Sequence, residues 1–216
     1  MSGSVRLALA LLPLAAYCFV LGVWQSGKKP RIIAGPADFG LLAFGLGGLI
    51  AFGPVGQLVV GMVFPRPSLP AWLAVASFEG LVAMIVAIRT RKRLVVYNVE
   101  AADLDRAVGL AMESIAGTAS RTVRGFEDIP GHRGVTVEVS PRLRIGVMES
   151  HGEQPERLTE AIHPVLLARL SEVPSRTTPL AVVWFSLSFV ALLIPVSVAL
   201  MARPEVRAVI RRLGGR

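Results

Sequence analysis

Four long apolar runs organise the chain, near Val5–Trp24, Asp38–Phe64, Ala71–Ile88 and Leu180–Ala202. About 20 helical residues, rising ~1.5 Å each, cover the ~30 Å hydrocarbon core of a bilayer. Each run is therefore long enough to span. The stretch between the third and fourth runs, residues 93–178, is patterned differently. Leu94–Val99 is rich in β-formers, and Leu104, Val108, Ala111 and Ile115 then recur at helical spacing up to Gly117, a natural C-cap. Thr122–Phe126 reads as a strand. Val135, Val137, Val139, Leu143, Ile145 and Val147 all fall on odd positions and predict one apolar strand face, which Pro141 breaks by a hairpin or a bulge. Pro155 opens a last helix with Leu158, Ile162, Val165 and Leu166 inward, and Pro164 kinks or restarts it.

The pattern predicts an α-helical integral membrane protein with four transmembrane helices and a small α+β soluble domain inserted between helices 3 and 4. Residues 1–92 hold three spans (about 5–24, 38–64 and 71–88). Residues 93–178 form the soluble domain, its helices on one face of a mainly antiparallel sheet. Residues 179–216 hold the fourth span (about 180–202) and a basic tail. In that tail Val206, Val209, Ile210 and Leu213 share a helical face opposite arginines, a pattern suited to a head-group surface.

Charge refines this division. The net charge of +8 does not come from the soluble stretch, where ten arginines face twelve acidic residues. The basic residues border the spans, where Arg89, Arg91, Lys92, Arg93, Arg207, Arg211 and Arg212 are expected to meet lipid phosphates. With no basic stripe on a soluble face, nucleic acid is not an expected partner. The cluster Arg89–Arg93 puts the soluble domain in the cytoplasm, although the tail arginines then fall outside after four crossings. Twenty arginines against three lysines suggest a GC-rich bacterial genome, and hence the inner (plasma) membrane. The single cysteine, Cys18, lies in the first run and has no second cysteine with which to form an internal disulfide. Tyr17 spoils a lipoprotein-type site, and the run reads as a retained anchor.

The second run carries most of the unusual chemistry. Seven glycines thread it, Ala43, Gly47 and Ala51 form one close-packing face, and Gly40, Gly48 and Gly56 lie on another stripe. Gly53-Pro54 is expected to kink or split the helix. Glu79 is the ninth of eighteen residues in the third run, near mid-membrane, where an acidic residue faces protein or water. If the second and third runs form a hairpin about Arg66, Glu79 lies level with Pro54, within a turn of Gln57. Glu79 would then hydrogen-bond Gln57 or a carbonyl freed at Gly53-Pro54. Its role is structural glue, proton or ion coupling, or counter-charge to a partner.

Other motifs fail on context. Gly22–Lys28 has phosphate-loop spacing, but Lys29 stands where a Ser or Thr should be and a membrane run precedes it. His132, His151 and His163 lack the i, i+4 spacing of a zinc pair, and no cysteine cluster supports them. Neither a metal, a cofactor nor a set of catalytic residues is expected. Three function classes follow. The leading one is a non-enzymatic anchor, adaptor or sensor subunit whose soluble domain binds a protein partner. The alternative is a transporter or channel subunit that uses the broken helix and Glu79, assembled as a homo-oligomer. The third is a membrane-embedded enzyme acting on lipid-linked substrates.

Overall fold

The computed structural model describes residues 3–63, 69–128, 133–175 and 177–201. It divides into two compact units, Met1–Val20 with Leu41–Ala83 and Val183–Arg216, and Leu21–Gly40 with Met84–Val182.

The first unit is helical. It takes in most of α1 (Gly3–Ser26), α2 (Gly35–Ala51) and α4 (Leu69–Arg89), all of α3 (Pro54–Val63), and most of α7 (Pro179–Met201). Among the described residues, three helices are long and apolar enough to cross a membrane: Arg6–Ser26, Pro70–Arg89 and Pro179–Leu200. The run 38–64, expected as one of four spans, is instead two shorter helices that break between Ala51 and Pro54. Proline there has no N–H to continue the ladder, and Gly53 lets the chain turn sharply. The connection 64–68, with Pro65, Arg66 and Pro67, and the basic tail with Arg207, Arg211 and Arg212 lie outside the described residues.

Small residues set the helix contacts. A Cβ on Gly48 would stand 2.7 Å from the Ala10 carbonyl and 2.8 Å from the Pro13 ring, and one on Gly45 would stand 2.8 Å from Tyr17. α2 thus lies backbone-close to α1, as glycine permits in lipid. α7 meets α1 through Ser188, which donates to the Ala15 carbonyl at 2.8 Å, and through an edge-to-face pair of Phe19 and Phe185.

The second unit is built on one antiparallel sheet, in the order β1-β2-β6-β5-β4-β3. Its strands are β1 (Arg31–Ala34), β2 (Arg93–Tyr97), β3 (Ala119–Arg121), β4 (Gly125–Asp128), β5 (Arg133–Ser140) and β6 (Ile145–Gly152). α5 (Ala101–Ala116) and α6 (Pro155–Ser171) pack on one face. Between them and the sheet lie Leu94, Val96, Leu104, Val108, Met112, Val135, Met148, Ile162 and Leu166. α5 ends where Gly117 takes φ +73°, a conformation without steric cost only for glycine.

Two strand expectations are corrected. Thr122–Phe126 is not one strand: the chain turns there, between β3 and β4. The odd-numbered face also does not run through. The Pro141–Arg144 turn shifts parity, so Val135, Val137 and Val139 oppose Ser150, Met148 and Gly146, while Ile145 and Val147 point to the other face. β1 was not anticipated. It is four residues long, and its Ile32 and Ile33 pair with Val96 and Val95 of β2.

Candidate transmembrane site

Within the helical unit, Glu79 of α4 faces α2 at Gly47. The carboxylate Oε1 stands 2.8 Å from where a Gly47 Cβ would be, so the missing side chain is what admits it. The sequence placed Glu79 beside Gln57, a few turns further along the second run. The structure differs, because α2 and α3 are separate helices and the register cannot be extrapolated through the break. Gln57 is exposed, and its N–H bonds the Gly53 carbonyl at 3.3 Å.

The break itself is tightly built. The N–H groups of Phe52 and Gly53 still bond the Gly48 and Leu49 carbonyls, at 3.0 and 3.1 Å, which closes the last turn of α2. Any Cβ on Gly53 would run into the Leu49 carbonyl, and one on Gly56 into the Ile50 carbonyl and, at 3.1 Å, the Trp72 ring of α4. Gly47 thus meets Glu79 and Gly56 meets Trp72, both on α4, with Gly53 closing the turn between α2 and α3. Of these, Gly47, Gly56 and Trp72 are not among the site residues that the sequence points to. The signal for Gly47 was its place in a small-residue face; Trp72 carried none.

In the sheet unit, the first residues of α2 and the ends of the long helices are held by buried polar contacts. Gln25 is fully buried; its Nε2 donates to the Leu143 carbonyl at 3.3 Å, and its Oε1 accepts from Thr178 at 3.1 Å. The Asn98 side-chain Nδ2 donates to the Gly27 carbonyl at 2.7 Å, and the Asn98 main-chain carbonyl accepts from the Ser175 hydroxyl at 2.8 Å. The Tyr97 hydroxyl donates to Asp38, and Tyr97 packs on Trp24, over which Arg31 lies. The Gln25–Leu143, Asn98 and Tyr97 pairings tie helix ends to the sheet, and Gln25–Thr178 ties the end of α1 to the start of α7.

The basic cluster after α4 divides in two. Arg89 and Arg91 are exposed. Lys92 and Arg93 instead reach Glu149 of β6, each at 2.7 Å. Burial alone pushes the Glu149 carboxyl up, but the hydrogen bonds and charges of Lys92 and Arg93 outweigh it and hold it below the ordinary glutamate range. A lowered folded-state pKa contributes stability above the unfolded value and loses it as pH falls through the folded one. Wild type is thus expected to be more stable than Glu149→Gln at about pH 7, with the gap closing toward about pH 3. Thermal unfolding of both proteins in the same detergent checks this, and a gap constant with pH would refute it.

Long apolar helices, small-residue contacts and an acidic group inside the helical unit define an integral membrane protein. The fluoride-specific ion channel FluC of Bordetella avium (strain 197N) is 30% identical to the chain over 103 residues, which is 48% of this chain and 77% of that protein. The chain belongs to the FluC family. That relationship supports a membrane channel or transporter, the second class raised by the sequence, over the anchor or adaptor that led it. No protein-family model matches the chain, and no solved structure matches it.

Proposed function

We propose that the protein is a channel that conducts a small anion, with fluoride as its ion. The observation that carries this reading is the identity shared with a fluoride-specific channel over 103 residues. The α2–α3 break supports it, since non-helical backbone at membrane depth is tolerated where protein buries it or it lines a wet cavity. In this reading Gly47, Gly53, Pro54, Gly56 and Glu79 border the path, with Gln57 at the exposed side of the break. A path built from few helices per chain closes when copies assemble around it. We therefore place the conducting unit in a homo-oligomer in the inner membrane, the sheet unit on the cytoplasmic side.

The test is efflux from proteoliposomes followed with a fluoride electrode. Fluoride is expected to leave protein-containing vesicles far faster than empty ones, and chloride-loaded vesicles are expected to stay tight. Monodisperse, inserted protein with no fluoride efflux above the empty control would overturn the reading. Glu79→Gln keeps the shape and hydrogen-bonding reach of the side chain, and is expected to preserve fluoride efflux. Glu79→Leu removes the carboxyl that sits against Gly47 of α2, and is expected to lose that efflux.

A further inference from the structure

On the helix-covered face of the sheet, a groove of about 820 Å³ opens between α5 and the β3–β4 turn, with Val137 and Val139 of β5 in its floor. Its origin is a mismatch of strand lengths. β4 pairs with β5 only from Gly125 opposite Thr136 to Glu127 opposite Gly134. One further bond, from the Val137 N–H to the Arg124 carbonyl at 2.8 Å, ends the ladder as the chain turns away toward β3. β5 nevertheless continues to Ser140, paired with β6 on its other side. Antiparallel strands alternate the side to which backbone groups point. Val137 points to the β4 side, so Val139 does too. Among the described residues no strand pairs with β5 there, and its N–H and carbonyl face the vacated place.

The walls carry charge. Arg121 is paired with Asp105 at 2.8 Å. Arg106 of α5 and Arg124 of the turn are exposed and have no carboxylate partner among the described residues. Glu113 also lines the groove, so the free guanidinium charge exceeds the free carboxylate charge by one. At its rim Val123 is 102% exposed, an aliphatic side chain with no cover of its own.

We propose that this groove docks an extended, acidic segment of a partner protein, added as a strand beside β5 at Val137–Ser140. Strand addition draws affinity from main-chain bonds and specificity from alternate side chains. The incoming backbone pairs with Val139. Its carboxylates, on alternate residues, lie on the helix-covered face against Arg106 and Arg124, and the aliphatic residues between them fall on the opposite face of the sheet. Arg–carboxylate pairs in such a groove are the stronger, charge-assisted kind.

The probe is fluorescein-labelled Glu-Val-Glu-Val-Glu amide, titrated by anisotropy against the full-length protein in phosphatidylcholine nanodiscs. Saturable binding is expected, at least ten-fold weaker with Arg106→Glu/Arg124→Glu and weakened with the milder Arg106→Gln/Arg124→Gln. A probe N-methylated on alternate backbone amides is expected to lose binding, which a purely ionic contact would not do. Equal binding by Lys-Val-Lys-Val-Lys amide, no saturation by the acidic probe, or indifference to both arginine pairs would overturn the proposal. Displacement of the probe when phosphatidylglycerol replaces phosphatidylcholine would assign the groove to anionic lipid and overturn it equally.

Discussion

Gly56→Val is expected to leave almost no correctly folded protein in the membrane. A Cβ at this position lands on the Ile50 carbonyl, and a valine also meets the Trp72 ring, 3.1 Å from the Cβ alone. The first obstacle is backbone, so no rotamer change relieves it, and α2 and α3 must separate. Overpacking in a well-filled interior costs about 1–3 kcal/mol when side chains can give way; here they cannot, and a larger loss is expected. Gly61 on the same helix is the control. Nothing lies within 4 Å of a Cβ there, so Gly61→Ala is expected to be neutral or to gain a few tenths of a kcal/mol, up to about 1, from helix propensity. Gel filtration of detergent extracts and thermal melting read both variants. Equal melting of Gly56→Val and Gly61→Ala would show that the closely packed break is not what holds the helical unit together.

The second large effect lies in the sheet unit. Leu104 is completely buried, and its Cδ2 fills the space above Gly146 of β6 so fully that a Cβ there would overlap it. Leu104→Ala is expected to cost about 2–5 kcal/mol through lost burial and the cavity left behind. Gly146→Ala alone is expected to destabilise as well, by overpacking. Together the two are expected to cost less than their sum, because the new methyl occupies part of the vacated space; contacting residues couple by about 0.5–3 kcal/mol. Hydrogen exchange in β2, β5 and β6 measures this, since each ~1.4 kcal/mol accelerates globally protected amides about ten-fold. Strict additivity of the two substitutions would refute the packing described.

Parts of this molecule were legible because their physics is local. α5 and α6 follow from a 3.6-residue apolar period with a glycine cap at one and a proline start at the other. The interruption at Gly53-Pro54 follows from the missing N–H of proline. Register was harder to read. Val147 has the same odd parity as Val135, yet the turn of Pro141–Arg144 puts the two on opposite faces of the sheet. Likewise Glu79 was matched to Gln57 by counting residues through a helix that is in fact broken, and a break resets both rise and rotation. β1 escaped notice because four residues hold too few alternations to show a period. The ion pairs of Lys92 and Arg93 with Glu149 leave no trace in the sequence, because nothing local connects residues more than fifty positions apart.

By itself the sequence determined that this is a membrane protein with a polar unit between its apolar runs, because transfer of some twenty apolar residues into lipid depends on composition and length alone. Its relationship to a fluoride channel is also a property of the sequence. Only the tertiary structure decided that Glu79 meets Gly47, that Gly56 must lack a side chain, and that β5 outruns β4 to leave a charged groove. Those facts depend on which elements lie side by side, and contacts between distant segments leave no periodic trace along the chain.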